Sequence, residues 1–294
     1  MPGVTDTRKS VLITGCSPGG IGNALAREFH RNGLRVLASA RTADAISDLA
    51  ELGIETLTLV VDDPESIKAC HAEIESRLGD KGLDYLVNNA GRNLTVPALE
   101  VDLTEARQTF ETNFFAVIAI CQTFAPLLIK AKGTIVQIGS VTAVLPYVFG
   151  SVYNASKAAL HAFSDSLRIE LAPYGVKVTT IVTGGIKSRI ARTERTLKAD
   201  SLYADIEDSY QRRVVHSQAG SWTSEEYARK VVPEILWGSA PWRWLWPWAQ
   251  GNKHYIWAGR GAWLIYILSG GFTWFGLMGW YMSKAFKLNQ IRRS

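Results

Sequence analysis

Thr14-Gly15-Cys16-Ser17-Pro18-Gly19-Gly20-Ile21-Gly22 follows directly on the apolar, β-rich run Val11–Thr14 and leads into residues 20–32, where Ile21, Leu25 and Phe29 recur at helical spacing. A strand that breaks into glycines and resumes as an amphipathic helix is the first half of a βαβ unit. Glycines allow a tight turn and a close approach of backbone to a ligand, and the helix N-terminus that follows favours an anion. The stretch therefore predicts a pyrophosphate-binding turn at the start of a parallel sheet.

The same alternation continues outward. Arg35–Ser39, Leu57–Val61, Tyr85–Val87, Thr134–Ile138, Val176–Val182 and His254–Trp257 read as further strands. Asp63-Pro64 is a helix start, a cap followed by proline at the first helical position, with Ile67, Ile74 and Leu78 on one stripe after it. Short apolar strands alternating with helices predict an α/β fold, a doubly wound, three-layer parallel sheet of Rossmann type with helices on both faces. Such a sheet binds ligands beyond the carboxyl ends of its strands.

The chain has 294 residues, 47% hydrophobic and 20% charged, which suits one large domain with an appendage. Its net charge of +5 is mild and no basic tail is present, so no nucleic-acid partner is expected. Cys16, Cys70 and Cys121 match neither disulfide nor zinc spacing, so no metal is expected and a reducing compartment is. The N-terminal MPGVTDTRKS lacks the apolar core of a secretory signal.

The end of the second strand selects the cofactor. NAD binders place an acid there for the ribose hydroxyl; Ser39-Ala40-Arg41-Thr42 offers no acid and supplies a guanidinium, which suits the 2′-phosphate of NADP(H). Asn88-Asn89-Ala90-Gly91 ends the fourth strand with small residues that let backbone lie against the adenosine ribose. Tyr153 and Lys157 are four apart, on one face of a helix. A nearby ammonium stabilises a phenolate and is expected to lower the tyrosine pKa from about 10. Ser140 closes the fifth strand, where its hydroxyl can hold a substrate carbonyl, and Asn113 in the preceding helix can orient the lysine through water.

In order and spacing these features resemble the short-chain dehydrogenase/reductases over roughly residues 8–260: a TGxxxGxG-like loop, NNAG, an Asn, a Ser, then YxxxK. The resemblance implies Tyr153 as the acid/base, Lys157 as phenolate stabiliser and ribose contact, Ser140 as substrate holder and Asn113 as proton-relay support. It implies cofactor contacts at Gly15, Ser17, Gly20, Ile21, Arg41, Asp62, Asn89, Ala90, Gly91, Tyr153, Lys157, Thr183, Gly184, Ile186 and Ser188, and a homo-oligomer. Three departures stand out. Four residues, Cys16–Gly19, separate Thr14-Gly15 from Gly20-Ile21-Gly22, one more than usual. Val60 stands where many members carry the adenine-contacting acid, leaving Asp62 as its substitute. Thr183-Gly184-Gly185-Ile186 replaces the usual proline-glycine, so that loop is expected to be less fixed. With the hydrophobic tail, these departures resemble most the NADPH-dependent 1-acyldihydroxyacetone-phosphate reductases and related lipid and ketone reductases. Relatives of that kind also act on steroids and polyketide-derived ketones, and a retinoid or secondary-metabolite alcohol is the alternative substrate.

All ten tryptophans lie at Trp222 or later, the largest shift in composition along the chain. Residues 261–283 form a run of 23 without a charge; as a helix it is about 35 Å long, enough for a bilayer core of about 30 Å, but it holds five glycines. With the tryptophan-rich 241–248, it predicts a membrane-associated tail over 261–294, monotopic or re-entrant rather than spanning, on a catalytic domain of 1–260. The expected location is the cytosolic face of an intracellular membrane, endoplasmic reticulum or lipid droplet, with a cytoplasmic protein as the alternative. In that alternative the same aromatics wall a large apolar pocket or a dimer interface. Residues 187–230 are expected to form a polar, helical substrate lid. Its Lys187, Arg189, Arg192, Arg195 and Lys198 read either as a phosphate or headgroup site or as a solvated face balanced by Glu194, Asp200 and Asp205. A non-enzymatic, NADPH-binding membrane scaffold would have no use for Tyr153, Lys157, Ser140 and Asn113 together.

Overall fold

The computed structural model describes residues 6–191, 194–237, 254–268 and 284–285. In chain order the elements are β1 (Ser10–Ile13), α1 (Ile21–Arg31), β2 (Arg35–Ala40), α2 (Ser47–Ala50), β3 (Glu55–Thr58), α3 (Pro64–Leu78), β4 (Tyr85–Asn88), α4 (Leu103–Phe110), α5 (Ala116–Ala131), β5 (Thr134–Ile138), α6 (Ser151–Leu171), β6 (Lys177–Thr183), β7 (Ile186–Lys187), α7 (Glu207–Val215), β8 (Trp222–Thr223), α8 (Ser224–Trp237), β9 (Tyr255–Ala258) and α9 (Ala262–Leu268).

Seven strands form one parallel sheet in the order β3-β2-β1-β4-β5-β6-β9. The order reverses between β1 and β4, which is the switch point where doubly wound sheets open a ligand crevice. The period-two alternation of strands assigns the faces. Val11, Ile13, Val36 and Ala38 point into one core with α1 and α8. Leu12, Leu37, Leu86 and Ile135 point into the other, with α3 and α5. Both faces are covered, so β1, β4 and β5 are buried at every residue.

The third strand departs from expectation. Its ladder ends at Thr58 rather than Val61. Leu59 N still donates to Ala40 O at 2.7 Å, but Val60 N turns to Ser66 Oγ at 2.9 Å and Asp63 caps α3 through Glu65 N at 3.0 Å. Side-chain acceptors beside the start of α3 thus outcompete the sheet. The lid is less helical than expected. Residues 188–191 and 194–203 are irregular, and the described helix begins only at Ala204. The lid is anchored by a second sheet of two residues per strand, β7 with β8.

Leu103–Ala131 is one continuous helical rod, long and apolar enough by composition to cross a membrane, yet it packs against α3 and α6 in the domain. At the C-terminal end, α9 buries Ala262 and packs Ile265 on Val141, Val182, Tyr255 and Trp257. The globular unit therefore runs past residue 260, to at least Leu268. The tryptophan-rich stretch 241–248 and the rest of the uncharged run, 269–283, lie outside the described residues.

Candidate active site

The dinucleotide end of the crevice is built mainly from backbone. Gly15 leaves β1 at φ +73°, where a Cβ would come within 2.9 Å of Ala90 Cα. A Cβ on Gly22 would meet Asn89 Nδ2 and Gly15 O, each at 2.5 Å. Thr14 Oγ1 accepts from Asn89 N (3.0 Å) and Ala90 N (2.9 Å), while Asn89 Nδ2 donates to Thr14 O (2.8 Å) and Gly15 O (3.0 Å). The Asn89 side chain is therefore a clamp between the two turns, and only its backbone, with Ala90 and Gly91, borders the crevice. The extra loop residue is absorbed by a turn in which Gly20 N donates to Ser17 O at 3.1 Å and Gly19 takes φ +72°. Gly20 caps α1 with no side-chain bond, and the first turn holds no acid, so the N–H groups at Ile21 and beyond stay open to an anion. Ser17, Arg41 and Asp62 are exposed around this cradle. A cradle that a Cβ would fill, an open helix end and an exposed guanidinium fit a dinucleotide phosphate.

The Thr183-Gly184-Gly185 loop is fixed, against expectation. Gly184 N donates to Ala258 O at 2.8 Å, and Gly185 and Arg260 exchange both backbone bonds, at 3.1 and 3.2 Å. A Cβ at Gly184 would lie 2.4 Å from Arg260 O, so the position requires glycine. Thr183 Oγ1 is paired with Tyr227 Oη at 2.8 Å and Ile186 is buried in the core, so these two offer backbone to the crevice; Ser188 follows, half-buried.

The catalytic end is built from buried side chains. Between α4 and α5 the rod makes one π-turn, Glu111–Phe115, the kind of bulge that often marks functional positions. It carries Asn113, which is 1% exposed. Asn113 Oδ1 accepts from Arg92 N at 2.7 Å; its Nδ2 donates to Arg92 O at 2.9 Å and Ser156 Oγ at 3.0 Å. All of its amide bonds therefore go to protein, bracing the loop after β4 against α6. Ser140 follows β5, with its N–H donating to His161 Nε2 at 3.3 Å and its Oγ accepting from Thr142 N and Thr142 Oγ1 at 3.2 and 3.0 Å. Burial holds His161 down to about 4, so it is the neutral acceptor this contact needs.

Lys157 is 4% exposed and donates to Ile138 O at 2.8 Å, with its ammonium 6.0 Å from the Tyr153 ring centre. Burial lowers Lys157 to about 8. The expected depression of Tyr153 is not found. Burial pushes the phenol above its ordinary range, with a hydrogen bond to Ser140 and the charge of Arg213 opposing. The Lys157 ammonium is bonded to Ile138 O, and burial outweighs the groups that favour the phenolate. In this state Tyr153 is a proton donor.

Residues 9–199 match the short chain dehydrogenase family. The chain belongs to this family. An NADPH-dependent 1-acyldihydroxyacetone phosphate reductase of Schizosaccharomyces pombe is 40% identical over 240 residues, 79% of each chain. A short-chain dehydrogenase of Penicillium ochrochloron is 44% identical over 232 residues, 78% of this chain and 85% of its own. One of Hypocrea virens is 34% identical over 292 residues, 98% of this chain and 96% of its own, so the likeness includes the C-terminal extension. A short-chain dehydrogenase from Streptomyces avermitilis shares the fold with a TM-score of 0.73, at 24% identity over 97% of this chain and 98% of its own. The protein is thus an oxidoreductase on a Rossmann-type sheet.

Over this dehydrogenase's site, the basic lid residues do not converge. Arg195 forks onto Glu105 at 2.5 and 3.2 Å, Arg189 reaches Pro18 O at 3.4 Å beside Gly19, Lys187 is exposed, and Arg192 lies outside the described residues. The cation that sequence reading missed is Arg213, on α7. Ile206, Tyr210 and Val214 repeat at helical spacing and are buried, so Arg213 shares their inward side; that periodicity was the available signal. Its Nε donates to Val148 O at 3.0 Å and its guanidinium carbon lies 3.7 Å from the Tyr147 ring centre.

Proposed function

We propose that this dehydrogenase is an NADPH-dependent reductase of a ketone in an apolar substrate, best matched by a 1-acyldihydroxyacetone phosphate. The observation that carries the reading is Tyr153 in the first turn of α6, its phenol kept protonated by burial and within reach of Ser140, which follows β5 beside the cofactor cradle. The bound reduced nicotinamide supplies the hydride. Ser140, oriented by His161 and Thr142, holds the carbonyl oxygen. Tyr153 gives that oxygen its phenolic proton as negative charge develops on it. Lys157, fixed by Ile138 O, would hold the nicotinamide ribose with its remaining ammonium protons, and its charge favours the phenolate left behind. Asn113 positions α6 through Ser156. Arg41 would hold the 2′-phosphate, and the open end of α1 would receive the pyrophosphate.

The likeness to the fission-yeast reductase supports an acylated ketone phosphate as substrate. The alternative, oxidation or reduction of a steroid, retinoid or secondary-metabolite intermediate, keeps the same residues in the same roles. The C-terminal extension is read as attachment to the cytosolic face of the endoplasmic reticulum or a lipid droplet. Supporting it, α9 exposes Trp263, Leu264, Tyr266 and Ile267, at 47–66% each, on the side away from its packed face. That helix also packs Ile265 against the cluster of Leu145, Phe149 and Tyr210, so a lipid arriving from a membrane would enter beside the lid.

The test is NADPH consumption by the detergent-solubilised full chain with a long-chain 1-acyldihydroxyacetone phosphate, beside a ketosteroid of similar apolar area. Turnover of the phosphate lipid alone is expected. Turnover of the steroid alone would replace this reading with the alternative.

A further inference from the structure

Arg213 is 6% exposed, and a guanidinium cannot shed its proton to escape burial. The structure's other well-placed arginines have carboxylates: Arg27 has Asp48, Arg35 and Arg77 share Glu55, Arg168 has Asp165 and Arg195 has Glu105. Among the described residues Arg213 has none. Its one hydrogen bond there is from Nε to Val148 O, and stacking on Tyr147 fixes its plane. Tyr147 is itself held by His216, Oη to Nδ1 at 2.6 Å. Among the described residues neither terminal NH2 group has a protein acceptor. A buried, uncompensated cation costs several kcal/mol in general, which an anionic ligand would offset.

Its position says which ligand. Gly150 caps α6, one turn before Tyr153, and a Cβ there would sit 3.2 Å from Arg213 Nη2 and 3.1 Å from Asn154 Oδ1. Asn154 Oδ1 is buried without a donor, so the space over Gly150 holds an open cation edge and an open acceptor. The positive charge is near enough to be felt at the Tyr153 phenol. The cavity of about 220 Å³ under the lid is lined by Glu100, Asp102 and Glu105 with Arg195 and Lys198, and its arginine is already forked onto Glu105.

We propose that Arg213 is the anion-binding residue of the substrate site, receiving through its Nη edge a phosphate monoester that the substrate carries close to the carbonyl carbon. This rests on the reading that the ketone is held by Tyr153 and Ser140. In an acyldihydroxyacetone phosphate, one methylene and one oxygen separate the carbonyl carbon from phosphorus, so the phosphate must lie within a few bonds of Tyr153. A planar fork suits two phosphate oxygens at once, and a protonated phosphate oxygen can donate to Asn154 Oδ1.

The experiment compares Arg213→Gln and Arg213→Lys with the unmodified full chain in detergent. The first readout is the ratio of kcat/KM for 1-acyldihydroxyacetone phosphate to that for the same lipid without its phosphate. In Arg213→Gln this ratio should fall about a hundredfold through KM, and Arg213→Lys should recover part of it. An equal loss with both ketones would overturn the proposal and make Arg213 a brace for Tyr147. The second readout is calorimetric binding of 1-acylglycerol 3-phosphate, which is not a ketone, to the NADP-loaded protein. Binding that is lost in Arg213→Gln, with thermal unfolding unchanged, supports the anion site even if the ketone phosphate is not turned over, in which case only the substrate reading fails. Equal binding by both proteins would overturn the proposal.

Discussion

The two ends of the crevice are made of different materials. The dinucleotide end is glycine and main chain: Gly15 against Ala90, Gly22 against Asn89, and Thr14 and Asn89 tying the two turns together, with Arg41 exposed at its margin. The catalytic end is buried polar side chains: Lys157 at 4% exposed, Arg213 at 6% and Ser140 at 6%. The first end is specified by shape and breaks when volume is added. The second is specified by charge and proton position, and breaks when a protonation state is lost while shape survives.

The sharpest separation of the two comes from Tyr153→Phe. It deletes the proton donor and keeps the ring. Turnover should fall about 10²–10⁴-fold while NADPH binding, followed by nicotinamide fluorescence, stays near that of the unmodified protein. Retained turnover would remove Tyr153 from the mechanism; lost cofactor binding would mean the two ends are not separable in this way.

Gly22→Ala should give the opposite signature. The added methyl meets Asn89 Nδ2 and Gly15 O at 2.5 Å, and neither can withdraw, one being a clamp and the other backbone. Overpacking of this sort costs about 1–3 kcal/mol. Thermal denaturation should register that loss, with weakened NADPH binding, while the cofactor-saturated kcat changes little. An unaltered melting temperature would show that the loop is looser than its contacts imply.

The same contrast explains what could be read from the sequence. Glycine turns and strand periods are local, so the sheet, its switch point and the cradle were legible from Thr14–Gly22, Asn88–Gly91 and the apolar strands. Tyr153, Lys157, Ser140 and Asn113 were legible as positions, and the structure places Ser140 after β5, Tyr153 and Lys157 on α6, and Asn113 against Ser156 of that helix. Their electrostatics were not. Whether Lys157 lowers Tyr153 depends on Ile138 O competing for the ammonium and on how dry the phenol is, and neither is local in sequence. The lid shows the other failure. Basic residues close in sequence, Arg189 and Arg195, reach Pro18 and Glu105 on different elements. Arg213, next to Arg212 in sequence but on the inward side of the helix, is brought in by α7 packing on Phe149 and Leu145. The third strand was overrun for a similar reason, since Leu59 to Val61 are apolar but Ser66 near the start of α3 takes the Val60 N–H.

The smallest expected effect is a pH dependence that arises at the catalytic end alone. Reduction needs Tyr153 protonated and Lys157 charged. Burial raises the phenol above its ordinary range, so it keeps its proton across neutral pH and sets no limit there. Burial lowers Lys157 to about 8, so the ammonium is charged below that pH and lost above it. The kcat/KM for NADPH, which reports groups of the free enzyme, should therefore be level below about pH 8 and fall up to tenfold per unit above it. Binding the cofactor brings anionic phosphates into the crevice, and negative charge favours the ammonium. The break in kcat should accordingly lie higher than the break in kcat/KM. Lys157→Met should remove the break and lower the plateau. A break at the same pH in both parameters would mean that the bound cofactor does not act on Lys157, and that the shape-built and charge-built ends work independently.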